Sequence, residues 1–529
     1  MRSTFYGMNI ANRGLFVAQR QLDVTGHNIA NQNVDGYSRQ RYITSAVDPR
    51  GYNSQFAPTE RGKVGGGVET LSLDQIRDLF LDRQFRNEQT KTSYWETRSN
   101  AMYYVEDVFN SIDANSLDGV MSSFFAGLQE LSVNPTDEAI RTNVTAQAKK
   151  MVDVFHMYHT QMADLMTQQD FNLVEQTKHT NQLLDRLTSL NYNIFKFELG
   201  GSVANDLRDE RALILDEMSG LMDISYTEVS FEPPMFNMYG KELTQLKVYA
   251  GPNATEDYED LLLVSHKDAF HLVIEEESGF NDIADNEDPP LTLHNIYLES
   301  GVKLSPDEID GYAGGQLQGY IDIRDGNTFD NTGIPYFLSQ INTLVRTFVD
   351  EFNAIHRDGF TMPFSSPKGS SDSSTGIDFF DPDGLDARTI ALSEEILLSS
   401  FNIAASTEFV TIDADGHLQT GNNLNALALI KGIKERTDLP DIGSVEGFYK
   451  NFLGELASES AAAKNMESSQ TVLLESIHSQ RVSVSGVDED EEMTNLIKFQ
   501  HAYNASARTI TTMDEMLDKL INGTGRVGL

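Results

Sequence analysis

His156 and His159 stand three residues apart in a segment with helical periodicity, a spacing that can aim two imidazoles at one divalent metal. No third ligand stands near them, so both are expected to be surface or core histidines and not a metal site. Asp413-x-Asp415-Gly416 resembles the opening of a calcium loop. It lacks the third acidic position and a glutamate at the twelfth, and a hairpin turn is the expected form. Gly65-Gly66-Gly67 lacks the spacing of a dinucleotide fingerprint and reads as a bend. There is no His-Glu-x-x-His, no phosphate loop ending in Gly-Lys-Ser/Thr and no Gly-x-Ser-x-Gly. With 80 acids, carboxylate pairs occur everywhere, and none is singled out as an acid–base dyad. No catalytic, cofactor-binding or metal-binding residue is expected, and the chain is not read as an enzyme.

Composition narrows the class. The 529 residues exceed what one core organises, and 40% apolar residues argue for folded domains. The absence of cysteine rules out disulfides, thiolate nucleophiles and thiolate metal sites. A net charge of −40 opposes nucleic acid and anionic lipid as partners. No stretch has the apolar length of a membrane span, and no cleaved secretory signal is expected at the N-terminus. The charge is uneven: residues 1–50 carry six Arg against three Asp, whereas 275–288 carries seven acids and no base.

The elements that would position any working residue are long helices. Met8, Ala11, Leu15, Ala18, Leu22, Thr25 and Ile29 alternate by three and four, as do Leu496, Phe499, Tyr503, Ser506, Ile510, Met513, Leu517 and Leu520. That rhythm holds one helix face against a partner. Such seams at both ends suit pairing of the two ends, or pairing with further copies. Gly7 and Gly14 share a face of the first helix, and Thr4, Ala11, Ala18 and Thr25 form a row of small residues, a pattern that lets another backbone come close. Ser3 or Thr4 can cap that helix, and Asp488 with Glu491 can form a capping box at the start of the last.

Between the seams, turn residues bracket β-type runs at 41–46 and 68–73. Helical patterns follow at 74–109, 116–132, 136–165, 168–194 and 205–221, and again at 333–355, 423–435, 443–481 and 489–521. Residues 226–312 hold β-type runs, and a hairpin is expected at 409–418. The fold class is α+β and multidomain: terminal coiled-coil helices and a long helical bundle with an inserted β-rich outer domain. The expected divisions are 1–45 with 488–529 as the terminal assembly region; 46–225, 313–358 and 386–487 as the helical rod; 226–312 as the β-rich insert; and 359–385 as a Ser/Gly/Pro-rich loop.

Leu22-Asp23-Val24-Thr25-Gly26-His27-Asn28-Ile29-Ala30-Asn31, followed by Gly36-Tyr37-Ser38-Arg39-Gln40, resembles the N-terminal signature of the flagellar axial proteins, the rod, hook and hook-associated proteins. Ser483-Val484-Ser485-Gly486-Val487, Glu491-Glu492-Met493, Asn495-Leu496-Ile497, Phe499-Gln500 and Ala505-Ser506-Ala507-Arg508 resemble its C-terminal signature. Leu207-Arg208-Asp209-Glu210-Arg211, Gly314-Gly315-Gln316-Leu317-Gln318-Gly319 and Asp322-Ile323-Arg324-Asp325 point, within that family, to the hook-associated members. Val34-Asp35 departs from the Thr-Pro common there, and 226–312 carries no such likeness.

The resemblance implies a structural subunit exported by the flagellar type III apparatus and placed outside the cell. It implies a junction ring between hook and filament, of about eleven copies. The partners implied are other copies, the hook protein, a second junction protein towards the filament, and an export chaperone on the C-terminal helix. Leu15, Leu22, Ile29, Leu496, Phe499, Tyr503, Ile510 and Leu517 are expected to carry the assembly contacts, and Asn28, Ile29, Ala30, Asn31, Gly36 and Tyr37 the family signature. Asn28 and Asn31 are expected to bond backbone near the helix end. Two other readings stay open: a hook or other axial protein, or a surface adhesin acting through the acidic β-insert.

Overall fold

The computed structural model describes residues 5–47, 65–109, 116–251, 259–278, 292–304, 314–363, 373–410 and 422–523. The capping pair Ser3 and Thr4, the Asp413–Gly416 turn with most of the 409–418 hairpin, the acid run beyond 278 and the tail beyond 523 lie outside the described residues.

The chain opens with α1 (Phe5–Ala30) and an antiparallel hairpin, β1 (Gln40–Ala46) and β2 (Val68–Gln75), which pairs Gln40 with Gln75 and Ala46 with Val68. Four helices follow: α2 (Leu79–Phe109), α3 (Leu117–Val133), α4 (Glu138–Leu199) and α5 (Asn205–Leu221). Ser116 caps α3 by accepting from the Gly119 N–H, and Asp137 caps α4 by accepting from Ala139, just after Asn134-Pro135 has broken the preceding helix. The strands β3 (Ile224–Ser230), β4 (Thr244–Ala250), β5 (Leu262–Ser265) and β6 (Asp268–Ala269) form one antiparallel meander. A separate hairpin joins β7 (Leu272–Ser278) to β8 (Thr292–Leu298). The helices α6 (Gly315–Asp325), α7 (Ile334–Arg357), α8 (Glu394–Leu398), α9 (Leu424–Leu429), α10 (Val445–Ser485) and α11 (Glu489–Asp518) complete the fold.

The helices expected at 136–165 and 168–194 are one helix of 62 residues, about 93 Å long. No Gly or Pro interrupts it. The apparent break is a polar waist, where Gln169 and Asp170 are buried between two apolar stretches. On one side Val144, Met151, Phe155 and Met162 join a core with Phe124, Phe348 and Phe352; on the other Leu184 and Leu187 join a second core. Asp170 belongs there because it accepts from the His294 N–H (2.8 Å) and pairs with Arg324 (2.5 Å), itself 1% exposed. The motif read as Asp322–Asp325 thus ties α6 to the middle of α4.

Among the described residues the strands share their core with the helices. Val248, Leu263 and Ile296 share one with Leu184 and Leu187 of α4 and Met218 of α5, so the β-layer is laid on the helices and not hung from them. The 359–385 stretch, expected as a loop, delivers Phe379 and Phe380 into the first core, both wholly buried. Asn353 holds them there, its Oδ1 accepting from both backbone N–H groups at 3.0 Å. Gly315, at φ +56, lets α6 start against α5, where a Cβ would lie 2.6 Å from the Gly220 carbonyl.

Candidate assembly interface

The two terminal helices lie against each other. Their line of closest contact is the small-residue row on α1: Ala11, Ala18, Thr25 and Asn28 are buried, and Gly7 and Gly14 face Met513 and Ser506. A Cβ on Gly7 would stand 2.7 Å from Met513 Cε, and one on Gly14 would stand 3.1 Å from Ser506 Oγ. Large residues of α11 pack into small ones of α1, an arrangement that brings the helix axes together. Leu496, Phe499, Tyr503, Ile510 and Leu517 are half-buried along this seam. Leu15, Leu22 and Ile29 of α1 are likewise half-buried. Beyond the seam Phe16 (56% exposed), Met493, Ile497 (52%) and Met516 face solvent.

The end of α1 is fixed by side-chain bonds to the following segment. Asn28, 1% exposed, donates to the Gln40 carbonyl (3.0 Å) and accepts from the Gln40 N–H (3.1 Å) and the Tyr37 hydroxyl (2.8 Å). Its reach is therefore to β1, beyond the turn it was expected to hold. Since the Tyr37 proton is committed to Asn28, His27 Nδ1 donates to the Tyr37 oxygen at 3.0 Å. Burial, reinforced by Asp206, Asp209 and Glu492, holds the Tyr37 phenol well above its ordinary range. Asn31 donates to the His27 carbonyl (2.9 Å), Gly36 turns the chain at φ +76, and Ala30 is exposed.

Arg39, next in the signature, joins the two ends of the chain. Its Nε donates to Glu492 (2.7 Å) and its Nη1 to Glu491 (2.9 Å), while its backbone N–H donates to the Ser485 carbonyl (2.9 Å). The hydrogen bond to Glu491 raises the Arg39 pKa, and Arg39 holds the Glu491 carboxyl below its usual range. Half of the expected capping box forms, since Asp488 accepts from the Glu491 N–H (3.0 Å), but the Glu491 side chain turns to Arg39. The acidic run thus has a second role that its helix-start position concealed. Only a basic residue without a local partner, in a segment otherwise rich in turns, could have signalled it.

Below this clamp lies a buried ion network. Arg77 pairs with Asp82 (3.0 Å) and Asp209 (3.2 Å), Arg86 with Asp216 (2.7 Å), and Arg481 with Asp82 (2.8 Å) and Asp216 (2.6 Å). Three guanidiniums and three carboxylates balance, fastening α2 and α5 to the end of α10. Asp209 also accepts from the Ser38 N–H (3.0 Å), so the network reaches the signature loop; burial raises its pKa above the ordinary carboxylate value. Arg208 and Arg211 meet at Glu228 of β3.

The histidines that opened the sequence reading are separated in role: His156 Nε2 lies 2.8 Å from the Ile390 carbonyl, and His159 is buried. Among the described residues no group of three His, Cys, Asp or Glu is placed to hold a metal, and no helix is long and apolar enough to cross a membrane. Gly65–Gly67 closes the hairpin: Gly66 donates to the Val47 carbonyl, and Gly65 accepts from the Tyr6 hydroxyl of α1.

Comparison with known proteins bears on this geometry. Residues 8–37 match the family model described as flagella basal body rod protein, and residues 478–523 match the C-terminal model of the flagellar basal body rod proteins FlgEFG. The paired ends are therefore those of the flagellar axial class. Residues 102–380 match the flagellar hook-associated protein FlgK helical domain, a span that includes 226–312, where the sequence alone carried no likeness. The chain is 32% identical over 537 residues to flagellar hook-associated protein 1 of Bacillus subtilis, covering 99% of each chain. It is 23% identical to the protein of that name from Salmonella typhimurium, covering 97% of this chain and 99% of the relative. The fold is similar to that of the flagellar hook junction protein FlgK from Burkholderia pseudomallei, with a TM-score of 0.53 at 13% identity, covering 76% of this chain and all of that one. The chain belongs to the flagellar hook-associated protein 1 family, a family of structural flagellar proteins.

Proposed function

We propose that this chain forms the junction ring between hook and filament, built by side-by-side packing of the α1–α11 pair in successive copies. The observation that carries the reading is the unfinished state of that pair. Each helix covers the other along one line and leaves a second stripe of large apolar residues in solvent. A two-helix pair of this kind gains most when a neighbour covers that stripe, since each fully covered large side chain contributes about 1.5 to 3 kcal/mol. Leu15, Leu22 and Ile29, half-buried beside the seam, are the next residues such a neighbour meets.

In this reading the hook protein and a second junction protein cap the ring on its two faces. Export precedes assembly, and a chaperone covers α11 until then. The clamp at Arg39 and the ion network beneath it support a division between a terminal assembly region and an outer helical and β-layered body. The test is a chromosomal Phe16→Asp or Ile497→Asp variant. Both side chains face solvent in the single chain, so folding and export are retained; loss of attached filaments is expected. Wild-type filament numbers in both variants would remove the assembly role of this stripe.

A further inference from the structure

A cleft of about 470 Å³ opens between α2, α5 and the β3–β4 edge. Its walls hold Arg77, Arg83, Arg86, Arg208 and Arg211 against two acids, Asp82 and Glu228, an excess of positive charge on a chain of net charge −40. Its floor includes Leu246 and Tyr226, and the Arg86 guanidinium lies 4.6 Å from the centre of the Tyr226 ring. Arg86, Arg208 and Arg211 already have carboxylate partners. Arg83 is exposed and has no ion partner among the described residues. A cleft with an apolar floor and an uncommitted cation at its rim suits a segment that is both acidic and apolar.

The first two turns of α11 offer such a segment. Glu491 and Glu492 are held by Arg39, and Leu496 and Phe499 face the α1 seam. The opposite face presents Asp490, Met493 (47% exposed) and Ile497 at positions i, i+3 and i+7. Among the described residues, none of α1 or α11 lines the cleft of its own chain. Yet the two features lie at one level of the molecule. Arg481, seven residues before Asp488, bonds Asp82 of the cleft wall and Asp216 beside it.

We infer that the cleft receives the Asp490–Ile497 face of α11 from a second copy of this chain, with Asp490 at Arg83 and Met493 on the apolar floor. The inference rests on the reading that copies assemble side by side. It adds the pair of surfaces that sets their register, since charge complementarity fixes orientation more than it adds affinity.

The absence of cysteine makes the test direct. A Leu79→Cys, Thr494→Cys variant carries the only thiols of the chain, one on the cleft rim and one exposed next to Met493. Intact flagella from cells carrying it are treated with a short bismaleimide, and covalent dimers of this chain are expected. Adding Arg83→Glu should lower the dimer yield about tenfold, and adding Asp490→Arg as well should restore it, because every copy then supplies the reversed pair. Monomer alone in flagella that still bear filaments would overturn the inference and leave the junction role standing. So would a cross-link to a different protein, or a yield unmoved by Arg83→Glu.

Discussion

Arg39 and Glu492 lie 453 positions apart in the chain and 2.7 Å apart in space, and Glu492 is 2% exposed. The pair joins the two family signatures. It sits where the terminal helices meet the body, beside the Ser38 N–H bond to Asp209 and the Gln40 side-chain bond to Asp206.

Removing one partner of that pair leaves the other uncompensated. Glu492→Ala is expected to cost about 3 kcal/mol of stability. The loss should fall on α11 before the body, as faster hydrogen exchange over 489–518 with little change in α4. A double-mutant cycle with Arg39→Ala measures the coupling; additive losses would show that the contact is incidental.

Asn28→Ala removes a donor and an acceptor from a site closed to water. It leaves the Gln40 N–H without its side-chain partner and frees the Tyr37 hydroxyl. A loss of about 2 to 3 kcal/mol is expected by denaturant titration. The Tyr37 pKa, held high by burial and nearby acids, should fall as the site opens, which an ultraviolet titration reads directly.

How much of this was legible in the sequence differs by element. The heptad rhythm of α11 stands out because Leu496, Phe499, Ile510 and Leu517 are large and apolar, and all four are half-buried. On α1 the same rhythm interleaves Leu15, Leu22 and Ile29 with Ala11, Ala18 and Thr25, and the small residues are the fully buried ones, since close packing needs room more than it needs bulk. The single α4 helix carries the sequence pattern of two because a buried polar waist interrupts an apolar stripe just as a loop does. Contacts such as Arg39–Glu492 and Arg481–Asp82 join charged residues that each resemble solvated surface, and nothing local distinguishes them.

Glycines on α1 separate packing from propensity. Gly26 has nothing within 4 Å of a built Cβ, so Gly26→Ala is expected to stabilise the isolated chain by about 0.5 to 1 kcal/mol. Gly14→Val should lower stability, because its side chain meets Ser506 in the seam. Thermal melts of the two variants should move in opposite directions; equal shifts would show that the seam is looser than described.

His356 is fully buried, with Nδ1 donating to the Ile377 carbonyl (2.7 Å) and Nε2 accepting from the Ala404 N–H (2.9 Å). Burial pushes its pKa down to about 4. The unfolded chain takes up this proton near the ordinary value of about 6.5, while the folded chain resists until about 4, so stability falls as pH drops through that window. The loss approaches about 3 kcal/mol below it. His356→Gln should flatten that slope while lowering stability at neutral pH, which unfolding curves at pH 7, 5.5 and 4 would resolve.

The central claim concerns the junction, and deletion of the gene tests it most directly. Electron microscopy of the deletion strain, with an assay of flagellin in the medium, is expected to show bare hooks and flagellin lost to the supernatant. Normal filaments on those cells would contradict the account.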